Sequence, residues 1–219
     1  GGGADGRSGG SAPGSTPSFV AGTVASGGPI AATIVLKDSS PDARTLTKST
    51  ASDGSFSFDV AGLTAPFVLR ATFGDAGAPS VLYSISAGAG TANVTPLTSI
   101  AMRAAIGGGD LAAFFRDASP AQIAAASARM AQAAAALRAA IAPLLQRYPF
   151  QGDLITGAFT ADHTGVDALL DAISVRFTGA LVTIASRNGG VPLFSSPPSD
   201  PAAGTFFSAN FAQVGATPP

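Results

Sequence analysis

Apolar and polar residues alternate in six short runs over the front of the chain, each bounded by turn-forming residues. The runs are 19–24, 30–37, 45–50, 55–60, 67–73 and 80–86. In the second, Ala32, Ile34 and Leu36 share one face; in the fourth, Phe56, Phe58 and Val60 alternate with polar residues as a half-buried strand requires. Ser26-Gly27-Gly28-Pro29, Ser39-Ser40-Pro41-Asp42 and Asp53-Gly54 supply turns between them. This spacing predicts a small antiparallel β-sandwich over 18–92.

After Asn93 the period changes from two to that of a helix. Thr95 suits an N-cap and Pro96 the first helical position, with Leu97, Ile100, Ala101, Ala104 and Ala105 on one face. Gly107-Gly108-Gly109 ends that helix, and Asp110 opens a short one whose Phe114 and Phe115 are expected to pack on the next. A long alanine-rich helix is predicted over 119–148. Ile123, Met130, Leu137 and Leu144 recur every seven positions, widened by Ile141, Leu145 and Tyr148. Ser119, Pro120 and Gln122 form a capping box, and Arg147 suits the C-terminal dipole. Such a helix would run about 45 Å, with a bend near Pro143, where the Ala139 carbonyl loses its donor. Its heptad spacing reads as intramolecular core rather than a partner seam, since few charges flank it.

Beyond Pro149 the pattern gives a loop over 151–164, a short helix over 165–172 and a β-hairpin over 173–186, with a further strand expected at 191–194. Residues 195–219 form a Pro- and Ser-rich apolar tail. Its segment 205–214 holds Phe206, Phe207 and Phe211, suited to a last strand or to packing, on this chain or on a neighbour. The expected fold class is therefore α+β: an N-terminal antiparallel sandwich, then a helical domain over 93–194 ending in a hairpin.

Composition sharpens this picture. Of 219 residues 46% are hydrophobic and only 11% charged, so Ser, Thr, Gly and Ala must cover most of the surface. Twelve basic against thirteen acidic residues, with no basic cluster, argue against nucleic acid as a partner. So little charge protects poorly against association, which favours contacts with other proteins or with further copies. The charge-free windows 8–36 and 76–102 are broken by Pro, Gly, Ser and Thr and do not read as transmembrane helices. The chain has no Cys, hence no disulfide, thiolate metal site or cysteine nucleophile.

Two stretches carry a resemblance. The flexible opening 1–17, GGGADGRSGGSAPGSTP, resembles the tether that follows the lipidated cysteine of bacterial lipoproteins, which would put that cysteine just upstream of Gly1. Gly22-Thr-Val-Ala-Ser-Gly-Gly-Pro-Ile, Ala32-Thr-Ile-Val-Leu and Thr50-Ala-Ser-Asp-Gly-Ser-Phe-Ser-Phe resemble the carboxypeptidase regulatory-like (transthyretin-like) β-sandwich over 19–92. That resemblance implies an accessory or adhesive module with no catalytic residues. Asn93-Val-Thr-Pro-Leu-Thr-Ser is similar to the junction leading from such modules into a helical segment in bacterial lipoproteins of unassigned function.

Candidate chemistry is sparse. His163, the only histidine, stands beside Asp162 in a loop that also holds Asp153, but lacks the ordered partners a metal site needs. Asp162, His163 or Thr164 is better read as a cap for the helix that follows. Asp53-Gly54-Ser55 lacks the alternating acids of a calcium loop and reads as a turn. No Gly-x-Ser-x-Gly elbow occurs, no phosphate loop follows the glycine runs, and nothing singles out a carboxylate pair among the acids.

No catalytic, cofactor-binding or metal-binding residue is assigned on this reading. The expected function is non-enzymatic: an exported periplasmic or cell-surface protein, lipid-anchored to the outer membrane, that binds other envelope proteins or itself. The alternatives are a structural subunit of a surface assembly or fibre, and a hydrolase with a site near His163.

Overall fold

The computed structural model describes residues 18–215. The expected tether, 1–17, and the last four residues of the expected tail lie outside them.

The six predicted strands form where alternation and turn residues place them. They are β1 (Phe19–Thr23), β2 (Thr33–Lys37), β3 (Thr45–Ser49), β4 (Ser55–Asp59), β5 (Phe67–Phe73) and β6 (Ser80–Ser86), followed by a two-residue β7 (Gly90–Thr91) that the pattern does not announce. One sheet has the order β3-β2-β5-β6, fully antiparallel; the other has β4-β1-β7. The expectation of a purely antiparallel sandwich needs one correction, because β7 pairs parallel to β1. Asp53 behaves as a turn residue, its Oδ1 accepting the Ser55 N–H at 2.9 Å. The inward positions Val20, Ile34, Leu36, Phe56, Phe58, Leu69, Ala71 and Leu82 fill the space between the sheets. Gly22 is required on β1: a Cβ there would collide with the Ala92 carbonyl.

The outer face of the four-stranded sheet is covered by helices. α1 (Pro96–Ala105) starts with a reciprocal capping box between Thr95 and Thr98, and Thr98 Oγ1 also donates to the Tyr83 carbonyl of β6 at 2.8 Å. α2 (Leu111–Asp117) is capped by Asp110, whose carboxylate accepts the Ala113 N–H at 2.6 Å. Its other end is capped from the sheet. The buried Lys37 ammonium donates to the Phe115 and Arg116 carbonyls at 2.7 and 3.1 Å, where they have no helical partner.

The predicted long helix is two helices. α3 spans Pro120–Ala140 and α4 spans Ala142–Arg147, joined at Ile141 with φ −105° and ψ 18°. The expected bend at Pro143 is thus a break two residues earlier. Pro143 has no N–H to give the Ala139 carbonyl, so the helix ends there, and proline is accommodated in the first turn of the next. The heptad stripe is core as expected, yet it serves two cores. Ile123 and Met130 pack with Val68, Tyr83, Ile85, Met102 and Phe115 against the sandwich. Leu137 and Leu144 join Leu97, Ile100, Leu169, Ile184 and Phe194 in a second cluster. α1 lies between the clusters and is buried on both sides.

The back of the chain is α5 (Gly165–Ala172), β8 (Ile173–Phe177), β9 (Val182–Ser186), β10 (Pro192–Ser196), a 3-10 turn at Pro201–Ala203, β11 (Thr205–Phe206) and α6 (Ser208–Gly215). The predicted hairpin is β8–β9, extended into an antiparallel sheet of order β11-β10-β9-β8. The described part of the apolar tail packs on its own chain: Phe206, Phe211 and Val214 lie against the second cluster. The molecule is α+β, with the two-sheet sandwich in front, helices behind it and the third sheet, β11-β10-β9-β8, at the rear.

Candidate functional site

The chemistry-bearing side chains gather where the sandwich's β1–β2 loop meets α5. Helical geometry explains the gathering. His163 sits just before α5, and Asp167 and Asp171 follow at four-residue intervals, so all three lie along one side of it. Their ligand-type atoms come within 4.8 Å of one another.

Asp167 is wholly buried. Its Oδ2 accepts the His163 N–H at 2.8 Å and its Oδ1 accepts the Gly28 N–H of the sandwich at 3.2 Å. The carboxylate therefore does two jobs: it reaches back over the first turn of α5, and it fastens that turn to the β1–β2 loop. The first of these holds His163 at φ 63°, a left-handed conformation that a residue with a Cβ adopts only when its surroundings impose it. Gly28, at φ 92°, lies opposite; a Cβ on it would stand 3.4 Å from the imidazole Cε1.

Asp171 takes the imidazole. Its Oδ2 lies 2.6 Å from His163 Nδ1, with Asp167 Oδ2 at 4.0 Å. The hydrogen bond with Asp171, then that carboxylate's charge, hold the histidine above its ordinary pKa, with smaller help from Asp167 and Asp162. In its protonated form the ring donates from Nδ1 to Asp171. Asp162 is held low, chiefly by the hydroxyl of Thr164, which donates to it at 2.6 Å. Of the three residues expected to cap α5, Thr164 occupies the N-cap position without a side-chain cap bond, while Asp162 and His163 brace the approach to it.

Further groups complete the junction. Arg187, at the end of β9, donates to the carbonyls of Asp171, Leu170 and Ser26, closing the C-terminal end of α5 onto the same loop. Asn93 Nδ2 donates to the Gly157 carbonyl at 2.6 Å and Thr23 Oγ1 to that of Phe159 at 3.1 Å, docking the 151–164 loop on the sandwich. Asp153 stays within its loop, accepting the N–H groups of Ile155 and Thr156.

The arrangement is a clasp. Two ligands on one first-row ion stand about 3 Å apart or more, so the 2.6 Å separation of Nδ1 from Asp171 fits a shared proton better than a cation. Both oxygens of Asp167 are already occupied by amides. The imidazole Nε2 has no hydrogen-bond partner among the described residues, and no hydroxyl bonds the ring there. An open groove of about 640 Å³ lies elsewhere, along the α3–α4 break, walled by Ala139, Leu145 and Phe150. Arg138 on its rim donates to the Phe150 and Gly152 carbonyls.

No family model, curated protein or solved structure matches this chain. Sequence reasoning placed His163 in a loop before α5 but missed Asp167 and Asp171 as its partners, although the four-residue spacing was there to find. It had no means of finding Gly28 or Arg187, which arrive from distant parts of the chain.

Proposed function

We propose that this chain is a non-enzymatic binding or assembly module of the bacterial cell envelope, exported and held by a lipid anchor upstream of its Gly- and Ser-rich opening. The observation that carries the reading is the unequal treatment of the two sandwich sheets. Helices cover the four-stranded sheet, whereas Phe19, Ala21, Ser57, Asp59 and Thr91 on β1, β4 and β7 keep full or partial exposure. Among these residues only Phe19 is large and only Asp59 is charged, and such a face suits a protein partner. The regulatory-like sandwich pattern of the sequence and its 4 + 3 strand arrangement support the same reading. So does the commitment of Asp167 and the Nδ1 side of His163 to the clasp, an arrangement that serves structure.

The experiment is the native mass of the protein extracted gently from the membranes of its host. A lipid-sized mass excess with a co-purifying partner, lost on Ser57→Arg while thermal stability is kept, is the expected result. Ordered multiples of the chain alone would favour the structural-subunit reading. A bare monomer would end the envelope reading.

One observation favours a second reading, a hydrolase using His163. A carboxylate on Nδ1 leaves Nε2 available for proton transfer. Unchanged turnover by His163→Ala of any substrate found would remove it.

A further inference from the structure

Among the described residues, the large apolar side chains with the greatest exposure are Phe19, Val81, Phe177 and Leu181. Two of the four lie within five positions of each other, at the tip of the β8–β9 hairpin. The tip is built rather than frayed. The Thr178 N–H donates to the Leu181 carbonyl at 2.8 Å, and the Leu181 N–H donates back to Thr178 Oγ1 at 3.2 Å. Arg103 of α1 lays its guanidinium 5.2 Å from the Phe177 ring centroid and donates to the Thr178 carbonyl, which steadies the ring at the surface.

Two cations stand at this tip. Arg176 is exposed beside Phe177, and neither it nor Arg103 pairs with a carboxylate among the described residues. The sequence holds no acidic residue between Asp171 and Asp200, nor between Asp75 and Asp110. In a chain that is 11% charged, two unpaired arginines around an exposed Phe and Leu stand out. Apolar side chains flanked by cations match the boundary between acyl chains and anionic headgroups, where the ring and aliphatic groups leave water while guanidinium groups stay beside phosphate. Two arginines are too few to hold a nucleic-acid backbone, and an exposed hairpin tip suits a soft surface better than a protein groove.

We infer that the β8–β9 tip is a membrane-contacting element that dips Phe177 and Leu181 into an anionic bilayer surface, with Arg103 and Arg176 at the headgroups. The inference rests on the envelope reading for its setting and adds to it a contact made by the folded chain. It is testable without any lipid anchor, so each reading can fail alone.

The chain has no Trp, so Phe177→Trp places a lone reporter at the tip. With vesicles of phosphatidylglycerol in phosphatidylcholine its emission should shift to the blue, and with phosphatidylcholine alone it should not. In co-sedimentation with the anionic vesicles, Arg176→Gln should weaken binding about fivefold, and Leu181→Asp should abolish it with an unchanged far-ultraviolet circular dichroism spectrum. Should Leu181→Asp fail to fold, the tryptophan spectrum and Arg176→Gln decide. Emission unmoved by anionic vesicles, an equal shift with neutral ones, or binding indifferent to Arg176→Gln would overturn the inference. A blue shift that grows with protein concentration in lipid-free buffer would assign the tip to a second copy instead.

Discussion

His163 is the only histidine in the chain, and its effect on stability has a definite sign. Its folded-state pKa is raised, first by the hydrogen bond with Asp171 and then by that residue's charge. The stabilisation is therefore complete below the ordinary histidine value of about 6.5 and is lost as pH rises through the raised folded value. The ring is largely exposed, so solvent screening keeps the effect small. Melting temperatures of wild type and Asp171→Asn should differ most at mildly acidic pH, where the imidazole is protonated and the carboxylate still ionised, and converge at alkaline pH; an NMR titration should place the imidazole midpoint above about 6.5. Lys37 presents the opposite case, a cation buried in the interior that seals two helix carbonyls from a neighbouring sheet. Lys37→Ala is expected to lose roughly 2–3 kcal/mol in urea unfolding, because both carbonyls lose a charged donor. The sequence showed Lys37 as the end of a strand. Its task depends on where α2 lands, which strand alternation does not encode.

Among the elements, the alanine-rich helix shows what a pattern carries and where it stops. Its N-terminus was legible to the residue, because Ser119, Pro120 and Gln122 act within one turn, and both capping-box bonds form. Its core stripe was legible for the same reason, since Ile123, Met130, Leu137 and Leu144 share a face whatever they meet. That they meet two different cores was not, because the partners come from β5, β6, α5 and β10. Leu137 is fully buried, so Leu137→Ala should cost about 3–5 kcal/mol in chemical denaturation. Ser119→Ala, at an exposed cap, should cost about 1 kcal/mol. α1 has the same double burden in ten residues, Leu97 and Ile100 facing one cluster and Ala101, Met102 and Ala105 the other. Its alanines permit the close approach of α3, which bulkier residues would prevent.

At the scale of the molecule, the clasp joins parts of the chain nearly 140 positions apart, from Gly28 to Asp167. Asp167→Ala would leave two amides without their acceptor, one of them on the buried Gly28. The expected loss is about 1–3 kcal/mol for each amide, measured by urea unfolding. Thermolysin should also cut within 151–164 sooner than in wild type, because the same substitution loosens the approach to α5. With α1 shared between both helical clusters, wild type should unfold in one transition, with circular dichroism and tyrosine fluorescence coincident. The proposed partner face and the apolar hairpin tip lie on different sheets, so one chain could engage a protein and a membrane at once.

The sequence by itself determined the α+β class, the six front strands, the capped starts of α1, α2 and α3 and the core stripe of α3. These follow from alternation, turn chemistry and capping, all of which act within a few residues. The tertiary structure alone decided the parallel β7 edge, the exact joint at Ile141, the pairing of the expected 191–194 strand and of β11 onto the hairpin, and the burial of the apolar tail against its own chain. It alone brought Gly28, Asp167, Asp171 and Arg187 round one histidine. Each of these depends on which distant segments share space, and residue pattern along the chain carries no record of that.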